Sequence, residues 1–235
     1  MARVLLIHGA CHGAWCWRDV IPPLEARGHE VVALDMPGRG DGGPVGVLSL
    51  ADHAGVILDA AGDGAVLVGH SAGGFSISAA AEADPGRALH LVYVAALLPQ
   101  DGATLVGTMR GLTEMGPRAR FLGSEDRASY IFDKAGAAEK IYNGMSEADI
   151  AWALERVCYE PAAPHNEPIH LTERFAGVEK SYVCCTEDRM IPAVDQARMA
   201  LGVPEANRHE LATGHSPFLS MPVELAGIIA RIAEG

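Results

Sequence analysis

The stretch at residues 65–83, AVLVGHSAGGFSISAAAEA, decides the fold. Its first five residues form a continuous apolar run, which is typical of a strand buried on both faces of a sheet. Its alanine-rich end predicts a helix over 72–83. Between them lies GHSAG, a G-x-S-x-G sequence whose tight turn lifts the hydroxyl of Ser71 above the sheet. We interpret Ser71 as a nucleophile, the alternative being a chance pentapeptide in a glycine-rich chain.

Strand and helix patterns alternate on both sides of this turn. Helices are predicted at about 15–27, 49–61, 72–83, 192–201 and 222–233. The strands between them are predicted at 4–7, 30–35, 65–69, 89–95, 181–186 and 208–211. Such alternation predicts an α/β fold with a mostly parallel sheet of about six strands and helices on both faces.

The alternation stops after the fourth strand. Residues 97–178 show helical patterns without a clean buried strand. We therefore predict a core formed by 1–96 and 179–235, with a helical cap at 97–178 inserted after the fourth strand. The cap is expected over the carboxyl edge of the sheet, where ligands bind in such folds.

A serine nucleophile needs a base and an orienting acid, which follow it along the chain in this fold. His215 lies in ATGHS just after the last short strand, and we predict that it is the base. Asp188 follows the preceding strand and is the predicted acid. Glu187 is the alternative acid, and an ion pair with Arg189 is the structural alternative for Asp188.

Two backbone N–H groups are needed to hold the oxyanion. Ala72, directly after the nucleophile, and Ala10, in the loop after the first strand, are the predicted donors. The same loop region holds residues that could bind a metal, but their spacing matches no zinc pattern. These residues are His8, Cys11, His12 and Cys16. We therefore expect no metal and no other cofactor.

The amino-acid composition and net charge of the chain exclude some classes of function. The chain has 235 residues, 49% of them hydrophobic, and its 18 basic and 30 acidic residues give a net charge of −12. An acidic globular chain is a poor partner for nucleic acid or for an anionic membrane. Five cysteines and no visible signal peptide favour reduced thiols in the cytoplasm. We expect a small-molecule partner, and a homodimer is compatible with these features.

The decapeptide HGACHGAWCW at residues 8–17 resembles the opening of the plant methylesterase and hydroxynitrile lyase family, which includes a salicylate-binding esterase. This resemblance implies the α/β-hydrolase fold. It also implies Ser71, Asp188 and His215 as the catalytic triad, with Ala10 and Ala72 as oxyanion donors. The implied substrates are small carboxylic esters, often methyl or aryl esters, hydrolysed through an acyl-enzyme without a cofactor.

Two positions distinguish the branches of that family. The lyases carry a threonine where this chain has Gly9, and a lysine where it has Ser216. The sequence therefore resembles the esterase branch, and exchanging both residues is expected to introduce lyase activity. The alternatives are a hydroxynitrile lyase, a lactone or carbon–carbon hydrolase on the same fold, and a ligand-binding relative with slow turnover.

The substrate pocket is the part of the site that the sequence defines least. We expect candidates near the opening segment and in the cap, with packing in the core as the alternative for each. The candidates are Gly9, Trp15, Trp17, Met109, Phe121, Tyr130 and Trp152.

Overall fold

The structure is a computed structural model that describes residues 1–38, 48–113 and 120–235. Its strands are β1 (Arg3–Ile7), β2 (Glu30–Leu34), β3 (Ala65–His70), β4 (Ala88–Val94), β5 (Phe121–Gly123), β6 (Ser129–Phe132), β7 (Glu160–Pro161), β8 (Lys180–Cys185) and β9 (Arg208–Leu211). Its helices are α1 (Ile21–Glu25), α2 (Leu50–Ala61), α3 (Gly73–Ala83), α4 (Leu105–Arg110), α5 (Lys134–Lys140), α6 (Glu147–Leu154), α7 (Ala163–Asn166), α8 (Glu173–Ala176), α9 (Ala193–Met199), α10 (Pro217–Ser220) and α11 (Pro222–Glu234). None of the helices in these ranges is long and apolar enough to span a lipid bilayer.

Six strands form the central sheet, in the order β2-β1-β3-β4-β8-β9. Every neighbouring pair in this sheet is parallel. The prediction of a mostly parallel sheet with about six strands is therefore confirmed. Because parallel strands end at the same edge, the loops after β1, β3, β8 and β9 can meet there.

Successive side chains of a strand point to opposite faces of the sheet, and in this sheet both faces are buried. In β1, Leu5 and Ile7 belong to the apolar cluster that includes residues of α2 and α3. Val4 and Leu6 belong to the opposite cluster, which includes residues of α1 and α11. Each of these side chains is fully buried, which contributes roughly 1.5–3 kcal/mol per residue. The run of apolar residues in β1 thus reflects helices on both faces of the sheet.

The helices begin close to the predicted residues, and capping residues and prolines in the sequence explain where. The Ser49 hydroxyl accepts a hydrogen bond from Asp52 N, and the Asp52 side chain accepts one from Ser49 N, so α2 begins with a capping box. The predicted helix over 15–27 is divided into a 3₁₀ turn, Ala14–Trp17, and the short α1. Two prolines near the start of α1 explain this division, because they cannot donate the hydrogen bonds of a helix interior.

The cap follows β4 as predicted, but it is not wholly helical. Besides α4 to α8 it contains β5, β6 and β7, which form a three-stranded antiparallel sheet. The expectation of a purely helical cap is therefore corrected. These strands have 3, 4 and 2 residues, which is too short for an alternating apolar pattern to emerge in the sequence. The division between cap and core at 97 and 178 stays a prediction.

Candidate active site

Ser71 lies at the turn between β3 and α3, as the G-x-S-x-G sequence predicts. Its φ of 51° is in the left-handed region, which costs about 1–3 kcal/mol for a residue with a side chain. Close packing around the turn requires its glycines. A Cβ at Gly69 would lie 2.7 Å from the carbonyl oxygen of Gly73, and one at Gly73 would lie 2.8 Å from the carbonyl oxygen of His8. The backbone therefore holds Ser71 in a strained, fixed position.

Three predicted residues form one hydrogen-bonded chain. The Ser71 hydroxyl lies 3.0 Å from His215 Nε2. His215 Nδ1 lies 2.7 Å from Asp188 Oδ2, and both of these side chains are buried. They come from the loops after β3, β8 and β9, which meet at the carboxyl edge of the sheet. Glu187, the alternative acid, is exposed to solvent.

Each oxygen of the Asp188 carboxylate accepts two hydrogen bonds. Its Oδ1 accepts from the backbone N–H groups of Met190 and Ile191, at 2.7 and 2.9 Å. Its Oδ2 accepts from Gln196 Nε2 at 2.9 Å and from His215 Nδ1. Because Oδ2 accepts the hydrogen bond from His215, the ring takes the tautomer with its proton on Nδ1. His215 Nε2 is then an acceptor for the Ser71 proton.

A second histidine, His70, supports this arrangement from behind. Its Nε2 donates a hydrogen bond to the backbone carbonyl of His215 at 2.8 Å, and the two ring centroids are 4.7 Å apart. Burial, followed by the nearby His215 and His12, lowers the pKa of His70 well below its ordinary value. His70 therefore stays neutral and supports the loop that carries His215, rather than acting as a base.

Ala10 and Ala72, the predicted oxyanion donors, both line the cavity that contains Ser71. Ala72 is the N-cap residue of α3, where backbone N–H groups lack acceptors within the helix. Within residues 1–38, 48–113 and 120–235, neither alanine donates its backbone N–H to a protein acceptor. Both N–H groups are thus available to a ligand beside the serine.

A pocket surrounds Ser71, and its empty space, which includes part of the open solvent, is about 390 Å³. Hydrophobic side chains dominate its wall. Its lining residues are Ala10, His12, His70, Ser71, Ala72, Leu97, Leu105, Met109, Phe121, Tyr130, Phe132, Ile141, Met190 and His215.

The structure places some of the predicted pocket residues at the cavity and others away from it. Phe121 and Tyr130, together with Met109, line the cavity, whereas Gly9, Trp15, Trp17 and Trp152 do not. Trp17 is instead buried against Phe218, with the ring centroids 5.4 Å apart. Several lining residues were not predicted: His12, Leu97, Leu105, Phe132, Ile141 and Met190.

Trp15 and Trp152 pack against each other rather than against a ligand. Their ring centroids are 5.3 Å apart in an edge-to-face arrangement. The guanidinium groups of Arg18 and Arg156 lie over the Trp152 ring, at 3.5 and 4.2 Å from its centroid. Cation–π contacts of this kind hold an aromatic ring at the surface of a protein. This stack explains why both tryptophans are missing from the cavity wall.

Gly9 contributes close packing behind the nucleophile. A Cβ at this position would lie 2.8 Å from His70 Nδ1 and 2.9 Å from Ser71 Cβ. A threonine would therefore displace His70 or Ser71 before its hydroxyl could reach a ligand. Ser216 is also buried, and its hydroxyl donates to the carbonyl of Ile141 at 2.8 Å. Both exchanges therefore require local rearrangement, and the expected gain of lyase activity stays a prediction.

The histidines of the first loop bind protein atoms through both ring nitrogens. His8 Nδ1 donates to the carbonyl of Gly9 at 2.8 Å, and His8 Nε2 accepts from Met36 N at 3.2 Å. His12 Nδ1 donates to the carbonyl of Ala10 at 2.8 Å, and its Nε2 lies 2.9 Å from the Tyr142 hydroxyl. In the part of the chain that the structure describes, no three His, Cys, Asp or Glu residues form a group that could hold a metal ion.

Known proteins resemble this chain over nearly its whole length. Residues 4–228 match the model of the alpha/beta hydrolase family. Methylesterase 7 from Arabidopsis thaliana is 30% identical, over 99% of this chain and 96% of that protein. Salicylic acid-binding protein 2 from Nicotiana tabacum is 31% identical, over 97% of this chain and 96% of that protein.

Solved structures agree with this assignment. The crystal structure of a pyrethroid hydrolase from Sphingobium faniae JZ-2 is 27% identical, with a TM-score of 0.83 over 100% of this chain and 98% of that one. A methylesterase from Arabidopsis, at 20% identity, has the same fold, with a TM-score of 0.83 over 100% and 99% of the two chains. Taken with the strand order and the turn that carries Ser71, these similarities show that the chain belongs to the alpha/beta hydrolase family.

Proposed function

We propose that this protein is a serine esterase that hydrolyses small carboxylic esters, with methyl and aryl esters as the preferred class. The observation that carries the proposal is the hydrogen-bonded chain of Ser71, His215 and Asp188, whose serine and histidine line an apolar cavity. Relatives named as esterases and methylesterases support the same reaction.

Acylation begins with the transfer of the Ser71 proton to His215 Nε2. The Ser71 oxygen attacks the ester carbonyl, whose oxygen becomes negatively charged and accepts hydrogen bonds from the N–H groups of Ala10 and Ala72. Asp188 stabilises the imidazolium form of His215. When the tetrahedral intermediate collapses, the His215 proton passes to the leaving alcohol and an acyl-enzyme remains.

Deacylation repeats these steps with water as the nucleophile. His215 accepts a proton from the water, which attacks the acyl carbonyl and forms a second tetrahedral intermediate. The same two N–H groups hold its oxyanion. Collapse of this intermediate returns the proton to Ser71 and releases the carboxylic acid. Every proton transfer uses side chains of the protein, so the reaction requires no cofactor.

The wall of the cavity favours apolar substrates of limited size. Hydrophobic surface in this wall comes from Leu97, Leu105, Phe132, Ile141 and Met190. An aryl or short alkyl ester can bury its apolar parts there while its carbonyl faces Ser71. A charged or highly polar ester would lose its hydration without gaining comparable partners.

We expect the purified protein to hydrolyse p-nitrophenyl acetate and to cleave mandelonitrile essentially not at all. Release of cyanide needs a positive charge where cyanide departs, and Ser216 supplies none. Ester hydrolysis needs only the backbone donors at the oxyanion. The two rates are measured on one preparation, by nitrophenolate absorbance and by a cyanide assay.

The inactive variant Ser71→Ala provides the background for both measurements. Release of cyanide at a faster rate than ester hydrolysis would assign the protein to the lyase branch instead. Absence of both reactions, together with tight binding of a product acid, would favour the ligand-binding alternative.

Removal of divalent metals is expected to leave both activity and melting temperature unchanged. The proposed reaction uses no metal, and both ring nitrogens of His8 and His12 already bind protein atoms. The measurement is dialysis against a strong chelator, followed by an ester assay and a thermal melt. A large loss of either quantity, restored by added zinc, would reveal a metal site in the first loop.

A further inference from the structure

A buried glutamate of the cap holds the loop that carries the proposed oxyanion donor. Glu160, in β7, is completely buried, and its Oε2 accepts a hydrogen bond from the backbone N–H of Cys11 at 2.8 Å. Two residues earlier in the cap, Cys158 N donates to the carbonyl of Cys11 at 3.0 Å. Both polar backbone groups of Cys11 are therefore bound by the cap.

Cys11 needs such support because of its backbone conformation. Its φ of 61° is in the left-handed region, which costs about 1–3 kcal/mol for a residue other than glycine. A conformation of this kind persists only where the surrounding contacts enforce it. The hydrogen bonds from the cap are among the contacts that do so.

The peptide groups on both sides of Ala10 are held at the same time. The peptide between Ala10 and Cys11 is bound through its carbonyl by His12 Nδ1, at 2.8 Å, and through its N–H by Glu160. The peptide between Gly9 and Ala10 is bound through its carbonyl by His8 Nδ1, at 2.8 Å. Its N–H is the group left for a ligand, so these bonds set the direction of the Ala10 N–H.

We propose that Glu160 is a positioning residue for the oxyanion hole. It acts through Cys11 on the Ala10 N–H and touches neither the substrate nor Ser71. The inference rests on the proposed esterase function, since it concerns the stabilisation of an ester-derived oxyanion. What matters is a hydrogen-bond acceptor at the location of Glu160 Oε2, rather than the negative charge.

The other carboxylate oxygen is held as well. Glu160 Oε1 lies 3.5 Å from His165 Nε2. The remaining ring nitrogen of His165, Nδ1, is hydrogen-bonded to the Tyr130 hydroxyl, and Tyr130 lines the cavity. With one oxygen facing His165 and the other facing Cys11, the carboxylate has a defined orientation. This orientation keeps Oε2 in place for the Cys11 N–H.

Two substitutions separate the acceptor from the charge. Glu160→Gln removes the charge and keeps an amide oxygen within reach of Cys11 N. Glu160→Asp keeps the charge and withdraws the acceptor by one methylene. We expect Glu160→Gln to retain a kcat near that of the wild type and Glu160→Asp to lose about 10²-fold, with little change in KM. A role based on charge alone would reverse this ranking.

A transition-state analogue tests the oxyanion hole directly. A trifluoromethyl ketone adds to the serine and forms a tetrahedral oxyanion, whereas a product acid binds without adding. For Glu160→Asp, the Ki of the ketone is expected to rise in parallel with the loss of kcat/KM, while the Kd of the acid stays near the wild-type value. A general disturbance of the fold would weaken the binding of both ligands.

Glu167 offers a matched control in the same part of the chain. Its Oε2 also accepts a backbone N–H at 2.8 Å, but the donor is Leu50 at the start of α2. Glu167→Asp therefore weakens the same type of bond away from the oxyanion loop. We expect it to leave kcat and the Ki of the ketone unchanged.

The outcomes separate the two proposals. A wild-type protein without ester turnover contradicts the esterase function. An active wild type in which Glu160→Asp keeps its kcat, or in which Glu160→Gln loses as much as Glu160→Asp, contradicts the positioning role. If Glu160→Asp does not fold, Glu160→Met takes its place, since methionine matches glutamine in length but lacks a strong acceptor. The kcat of Glu160→Met is then expected to be lower than that of Glu160→Gln.

Discussion

Ser71→Ala is expected to lower ester turnover by about 10⁴-fold or more while leaving the fold intact. The serine oxygen forms the acyl-enzyme, and an alanine methyl group has no atom that can replace it. The strained turn tolerates the change, because alanine has the same Cβ as serine and loses only the hydroxyl bonded to His215. The measurement is kcat/KM for p-nitrophenyl acetate, with the melting temperature as the control for folding.

A serine-directed phosphonate gives a second readout of the same assignment. Mass spectrometry should find one label per chain in the wild type and none in Ser71→Ala. A variant that keeps a tenth of the wild-type activity would show that another residue is the nucleophile.

Asp188→Asn is expected to lower kcat by about 10³–10⁴-fold without abolishing substrate binding. Because Oδ1 accepts two backbone N–H groups, the new amide nitrogen takes the place of Oδ2. It would then face two donors, Gln196 Nε2 and His215 Nδ1. The conflict is relieved when the His215 proton moves from Nδ1 to Nε2. With a proton on Nε2, His215 can no longer accept the Ser71 proton.

Glu187→Gln is the matched control, since it makes the same chemical change one residue earlier. Glu187 is exposed to solvent, so only a small effect on kcat is expected. Steady-state kinetics of both variants, with KM determined separately, provide the comparison. A larger loss in Glu187→Gln than in Asp188→Asn would transfer the orienting role to Glu187.

The central sheet and the Ser71–His215–Asp188 chain could be predicted because their signals are local. Most of the six core strands contain a short apolar run, although β9 (RHEL) does not, and parallel strands end at one edge. A residue with a reactive side chain that follows such a strand therefore lies at the carboxyl edge of the sheet. Ser71, Asp188 and His215 all occupy such positions, in the chain order that this fold requires.

The cavity wall could not be predicted in the same way, because its residues meet through packing between distant segments. Leu97 and Met190 lie in the loops that follow β4 and β8, so they could have been found by the rule that located Asp188. Phe132 and Ile141 depend on how the cap folds over the core, for which the sequence has no periodic signal. The bond between Cys11 and Glu160 joins residues 149 positions apart, so neither residue indicates the other.

The attachment of Cys11 to the cap bears on how this chain can be redesigned. Exchange of the cap between relatives is one route to new substrate ranges. Here the cap also supplies the backbone partners of Cys11, from Glu160 and from Cys158 N. A chimera with a foreign cap would therefore acquire a new acyl pocket together with an unsupported first loop. The practical unit for exchange is the cap without residues 158–161, which belong with the host core.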